Sequence, residues 1–252
     1  MIATNGIVLS DGIGYFREAI SSIGWHDMNR VNAVVAADDA RLTTTLLTGG
    51  IVAGPVYIVV GAIEILTRPG FDVTRHDLSI MANGDSGWVH ILLLIATGLL
   101  TIGAAVGLSR AIQTGRGRTW VPRLLGLYGM GLVAAGVFTA DPALGFPPGT
   151  PADYRGVSWH GVMHLVSGAI GFLGLIAACI VMSRRFAGLG RRGWAAYSLA
   201  TGVIYFAAFA GIVVGSNGPR PLAAFVILAF TGAVVLGWAW ISAVTALARA
   251  NL

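Results

Sequence analysis

WVHILLLIATGLLTIGAAVGLS, residues 88–109, decides how the rest of the chain is read. It carries no aspartate, glutamate, lysine or arginine over 22 positions, a length that crosses a hydrocarbon core about 30 Å thick. Five further stretches, 43–66, 121–139, 161–183, 194–215 and 222–247, are similarly apolar, and none carries a charge deep in its middle. With no water in lipid to satisfy backbone N–H and C=O groups, such runs are expected to be helices. A β-barrel would need segments of about ten residues alternating in polarity, and these do not alternate. The expectation is an all-α polytopic bundle of six transmembrane helices, preceded by a separate segment 1–41 and filling 42–252. Pro55 should kink the first helix locally. Small-residue pairs such as Gly50–Gly54 and Gly103–Gly107 should let helices approach closely.

Composition agrees. Of 252 residues 56% are hydrophobic and 11% charged, against roughly 25% charged in soluble domains. The net charge of +5 comes from arginine alone, since the chain has no lysine. The arginines lie in short inter-helix loops rather than in a groove-like stripe, which argues against nucleic acid as a partner. Twelve of them (17, 30, 41, 110, 116, 118, 123, 184, 185, 191, 192 and 249) fall on one side of the expected topology, and Arg68, Arg75, Arg155 and Arg220 on the other. By the positive-inside rule both termini should lie in the cytoplasm of a multi-pass cell-membrane protein. The N-terminus lacks the basic start and apolar run of a secretory signal. In its first 41 residues Ile13, Phe16, Ile20 and Ile23 share a helical face, which suits an interfacial helix; a loosely ordered tail is the alternative. The single cysteine, Cys179, lies in an apolar run and reads as a packing residue.

Acids and histidines gather on the side poor in arginine. Ser158-Trp159-His160-Gly161-Val162-Met163-His164 places two imidazoles four residues apart, one helical turn, where they can share a metal such as zinc. His90 is available as a third ligand, and zinc-bound water would be a nucleophile near neutral pH. Histidines at a helix start that merely bond loop carbonyls are the plainer alternative. Glu64, near the end of the first span, is a functional candidate because an acid there is expensive unless paired; pairing with Arg68 four residues on is the plainer reading. Asp72 and Asp141 are further candidate catalytic acids, and Arg68, His76, Ser79, Trp88 and Trp159 candidate substrate contacts. The Gly145-Phe146-Pro147-Pro148-Gly149-Thr150-Pro151 run should be rigid.

Two stretches together carry a family resemblance. One is Arg68-Pro69-Gly70-Phe71-Asp72 with Arg75-His76-Asp77-Leu78-Ser79, flanked by Gly54-Pro55 and Gly87-Trp88. The other is Gly136-Val137-Phe138, Asp141-Pro142, the Gly/Pro run, Trp159-His160-Gly161 and His164. Their order resembles the domain-of-unknown-function 998 family of six-helix bacterial and archaeal membrane proteins, over about residues 45–245. The resemblance implies that the two loops belong together and implies no activity. In that pattern the place of His90 is usually another polar residue, and proline is common where Asp77 stands. A looser similarity links Ser86/His90, Asp141 and His160/His164 to the zinc-dependent alkaline ceramidase and adiponectin-receptor membrane hydrolases, which have seven helices.

Two functional classes follow as expectations. One is a membrane-embedded enzyme acting on a lipid or isoprenoid, by metal-assisted hydrolysis or by acid-initiated isomerisation or cyclisation in a dry pocket. The other is a protein that binds, transports or assembles without chemistry; a transporter is disfavoured because charged or broken helices at mid-membrane are missing.

Overall fold

The computed structural model describes residues 25–252; the amphipathic pattern at Ile13–Ile23 lies outside them. The described chain is all-helical: α1 (Trp25–Thr67), a short 3-10 helix (Leu78–Ala82), α2 (Gly87–Ala111), α3 (Trp120–Val137), α4 (Trp159–Gly188), α5 (Arg192–Gly215) and α6 (Arg220–Arg249). All six α-helices are long and apolar enough to cross a membrane. The chain divides into two compact units, Met1–Leu42 and Thr43–Leu252. In the first, residues 28–42 are helical and exposed. The second holds everything that follows.

Within Thr43–Leu252, α2 to α6 pack each against the next in chain order. The later part of α1 lies against α2 and α6: a Cβ on Gly50 would meet Ala104 and Thr245, and one on Gly54 would meet Ser242 and Trp238. Two crossings depend on the absence of a side chain. A Cβ on Gly98 would stand 2.8 Å from the Gly129 carbonyl oxygen, joining α2 to α3, and one on Gly131 would stand 2.9 Å from the Gly171 Cα, joining α3 to α4. Small residues let backbones approach in this way, and lipid offers no hydrophobic drive to do it otherwise.

Polar side chains in the helices are turned inward onto the backbone. Thr97 and Thr101 of α2 donate to the carbonyls of Leu93 (2.6 Å) and Thr97 (2.7 Å), the i−4 arrangement that satisfies a hydroxyl without a partner helix. Trp240 Nε1 donates to Ser198 Oγ at 3.0 Å, tying α6 to α5. At the centre Trp238 stacks on Tyr57 (4.9 Å between rings) and lies 5.8 Å from Tyr128. Exposed tryptophans stand at both bundle ends, Trp88 and Trp159 at one and Trp120 at the other, as expected of rings at membrane–water interfaces.

Candidate functional site

The α1–α2 loop (68–86) and the α3–α4 loop (138–158) form one cap over an end of the bundle. Phe146, fully buried, is its plug, 5.6 Å from the rings of both Phe71 and His76 and under the Arg68 guanidinium at 5.6 Å. Arg68 also donates to the carbonyls of Met81 (2.7 Å) and Asn83. Asn83 Nδ2 reaches across to the Ala140 carbonyl at 2.8 Å. Arg68 is therefore a strut within the cap rather than the partner of Glu64.

His76 is a second strut. Its Nδ1 accepts from the Asp72 backbone N–H at 3.0 Å, so in the neutral ring Nε2 carries the hydrogen and donates to the Leu144 carbonyl at 3.2 Å. Burial lowers its pKa, which suits that neutral tautomer. Asp72 accepts from the Thr74 N–H (2.9 Å) and hydroxyl (2.6 Å), and these bonds hold its carboxyl below the ordinary range. Asp141 is equally occupied. Its two oxygens accept from the Ser158 N–H and hydroxyl, both at 2.6 Å, while Ser158 Oγ accepts from the Gly161 N–H at 3.2 Å. An acid at the positive end of α4 is favourable, and it crowds Gly161, where a Cβ would lie 1.9 Å from Asp141 Oδ2.

Under the cap are two adjoining spaces. An inner cavity of about 230 Å³ runs among α3, α4, α5 and α6, with Phe172, Phe209 and Phe230 on its walls and Tyr57 and Tyr128 at its base. A vestibule of about 360 Å³ is bordered by Arg75, His76, Asp141, Arg155 and Asn217. Asp77, Ser79, His164, Leu165 and Ser216 border both and form the junction between them, here called the throat. His164 Nδ1 donates to the Ala135 (3.0 Å) and Phe138 (2.9 Å) carbonyls at the end of α3. In the neutral ring this leaves the Nε2 lone pair without a protein partner. The Asp77 side chain makes no capping bond. The surface it exposes is throat wall, crowded by protein, and burial pushes its carboxyl up to about 6.

Only part of the expected site converges here. Ser79 and His164 are at the throat, and His76 and Asp141 at the vestibule. Glu64 and His90 lie elsewhere, in a mutual buried contact of 2.8 Å between Oε2 and Nδ1, with 4% and 1% of their surface exposed. Their other polar atoms, Oε1 and Nε2, have no partner. His160 lies outside on α4 with its ring 3.7 Å from that of Trp159. Trp88 and Trp159 border neither space. Among the described residues no three His, Cys, Asp or Glu side chains are grouped to hold a metal ion. Asp77 and Arg155, which sequence alone placed only in a motif and in the arginine count, border these spaces, as do Ser216, Asn217, Tyr57 and Tyr128, which no sequence signal marked. One signal pointed to Arg155: it is among the four arginines on the side where arginine is otherwise depleted.

The model of a family described as "Protein of unknown function (DUF998)" matches residues 51–247. The chain belongs to the DUF998 family. The matched range takes in the cap, the throat and the helices around the cavity, so the whole candidate site lies within the DUF998 portion. No curated protein and no solved structure is significantly similar to the chain.

Proposed function

We propose that this DUF998 protein binds a lipid-like amphiphile, with the apolar tail in the inner cavity and the polar head in the vestibule. The observation that supports this is that an aromatic-walled cavity and a charged, hydrogen-bonding recess adjoin and share a wall of five residues. Ligand sites are concave and mostly apolar with a few convergent polar groups, and the vestibule falls within their usual range of roughly 300–1,000 Å³. The arginine count favours placing this end on the outer side of the membrane, with both termini cytoplasmic.

A catalytic reading has its own support. A histidine with one nitrogen fixed and the other unengaged, near a carboxyl that titrates at about 6, suits proton transfer at neutral pH. In that reading His164 Nε2 takes a proton from water or from a substrate hydroxyl, and Asp77 returns one at the head–tail junction. Zinc at His160 and His164 would require the His160 ring to leave its contact with Trp159. The metal content of purified wild-type protein and of the His160→Ala/His164→Ala variant decides that version.

Binding is tested by native mass spectrometry of the full chain purified in a non-ionic detergent. Gly168 borders the cavity, and a Cβ there meets only the Phe172 ring, at 3.7 Å. Gly168→Leu should therefore fold and fill the cavity. One bound amphiphile per wild-type chain, lost in this variant, is the expected result. Equal occupancy in both would remove the cavity from the account.

A further inference from the structure

Amphiphile binding leaves two guanidinium groups on the vestibule wall without a task. Arg75 extends from the α1–α2 loop and donates to the Ala152 carbonyl at 2.8 Å. Arg155, from the segment before α4, donates to the side-chain oxygen of Asn217, which borders the same recess. Each guanidinium has five N–H donors, so these bonds set its position and leave donors over. Among the described residues neither Arg75 nor Arg155 is in ion-pair contact with a carboxylate; their bonds go to a backbone carbonyl and to an amide oxygen.

Two acids, Asp77 and Asp141, share the vestibule, but neither is in ion-pair contact with these arginines. Both oxygens of Asp141 accept from Ser158. Asp77 stands at the throat, where it also borders the apolar cavity, and Arg75 and Arg155 do not border that cavity. His76 is bonded at both ring nitrogens. Both arginines also lie on the side of the sequence where arginine is scarce, so the positive-inside bias does not account for them. Forked donors without a counter-ion, at the mouth of a recess, match the geometry of an oxyanion.

We infer that the head group of the bound amphiphile is an oxyanion, a phosphate ester in the first instance, held between Arg75 and Arg155. This rests on the amphiphile reading above and specifies its ligand. The tail places the anion, and the two arginines select it against a neutral head of the same chain length.

The test compares dodecyl phosphate, dodecanol and inorganic phosphate as ligands of the full-length protein in phosphatidylcholine nanodiscs. Dodecyl phosphate should bind about ten to a hundred times tighter than dodecanol, the weight of charge-assisted bonds partly open to water. Arg75→Gln/Arg155→Gln should abolish that preference and leave dodecanol binding unchanged, and Arg220→Gln should leave the preference intact. In the wild type the preference should shrink as salt rises, because exposed charges are screened; this readout holds whether or not the double variant folds. Equal binding of the two alkyl compounds overturns the oxyanion and leaves the cavity standing. Binding of inorganic phosphate as tight as that of dodecyl phosphate assigns the arginines to a free ion and also overturns it. If neither alkyl compound binds, the amphiphile reading fails and the inference fails with it.

Discussion

Glu64 and His90 meet in the packed interior between α1 and α2, whereas Asp77 and His164 face a shared opening from a loop and from α4. Both groupings pair an acid with an imidazole near the capped end of the bundle. In the first, the groups bond each other through one atom apiece and border neither the cavity nor the vestibule. In the second, His164 is anchored through one nitrogen only and the Asp77 side chain makes no capping bond. An acid in a membrane span is thus by itself a weak guide to a site. What separates the two groupings is whether a polar atom remains available at a space large enough for a ligand.

The comparison can be broken most forcefully at the closed pair. Removing one member of a buried hydrogen-bonded pair strands the other, at about 3 kcal/mol. Glu64→Leu and His90→Leu singly should therefore lower the melting temperature strongly in detergent, and the double variant should recover most of the loss. Additive losses would show that the pair is not a unit. At the clamp on α4, Gly161→Ala must displace the Asp141 carboxylate, and Asp141→Ala removes both Ser158 bonds. Each should destabilise by about 2 kcal/mol, the scale of a lost cap with a charged acceptor, as read by thermal unfolding.

At the open grouping the effects move from stability to ligand. Gly168→Leu should leave the melting temperature near that of the wild type while binding falls about tenfold or more, a difference of about 1.4 kcal/mol per factor of ten. Asp77→Asn has the smallest expected effect and a definite sign. Its folded pKa, about 6, lies above the ordinary 3.8, so the wild-type residue favours the fold most in acid and loses that contribution as pH rises through 6. Because the side chain meets solvent in the throat, screening reduces the effect to about 1 kcal/mol. Asp77→Asn should gain stability relative to wild type at pH 8 compared with pH 4.5. A difference that does not change with pH would mean the carboxyl is not perturbed.

Six helices were legible because membrane spans are specified locally: each apolar window of about 20 residues commits its own segment. The site was legible only where a residue's role followed from its own neighbourhood. The His160–His164 spacing marked the correct turn of α4 but not the division of labour. His164 lies level with the last carbonyls of α3, while His160, one turn earlier, projects past that end and lies against the Trp159 ring. Glu64 and Arg68, four residues apart, looked like a helical ion pair, yet Arg68 turns to loop carbonyls and Glu64 to His90. Asp77 comes to share a wall with Ser216 only when the α1–α2 loop meets the α5–α6 connection (216–219), and no local spacing encodes that convergence.

The central claim is that an amphiphile enters the space behind the throat, and photo-labelling tests it most directly. An alkyl phosphate carrying a diazirine near the end of its chain, incorporated into nanodiscs with the full-length protein, would be activated and the labelled residues mapped by mass spectrometry. Tyr128 is 2% exposed and reachable through the cavity, whereas Trp159 and Leu199 are exposed at helix surfaces. Labelling of Tyr128 and Phe172, competed by unlabelled dodecyl phosphate and lost in Gly168→Leu, is the predicted result. Labelling confined to exposed positions such as Leu199, unaffected by competitor, would contradict the account.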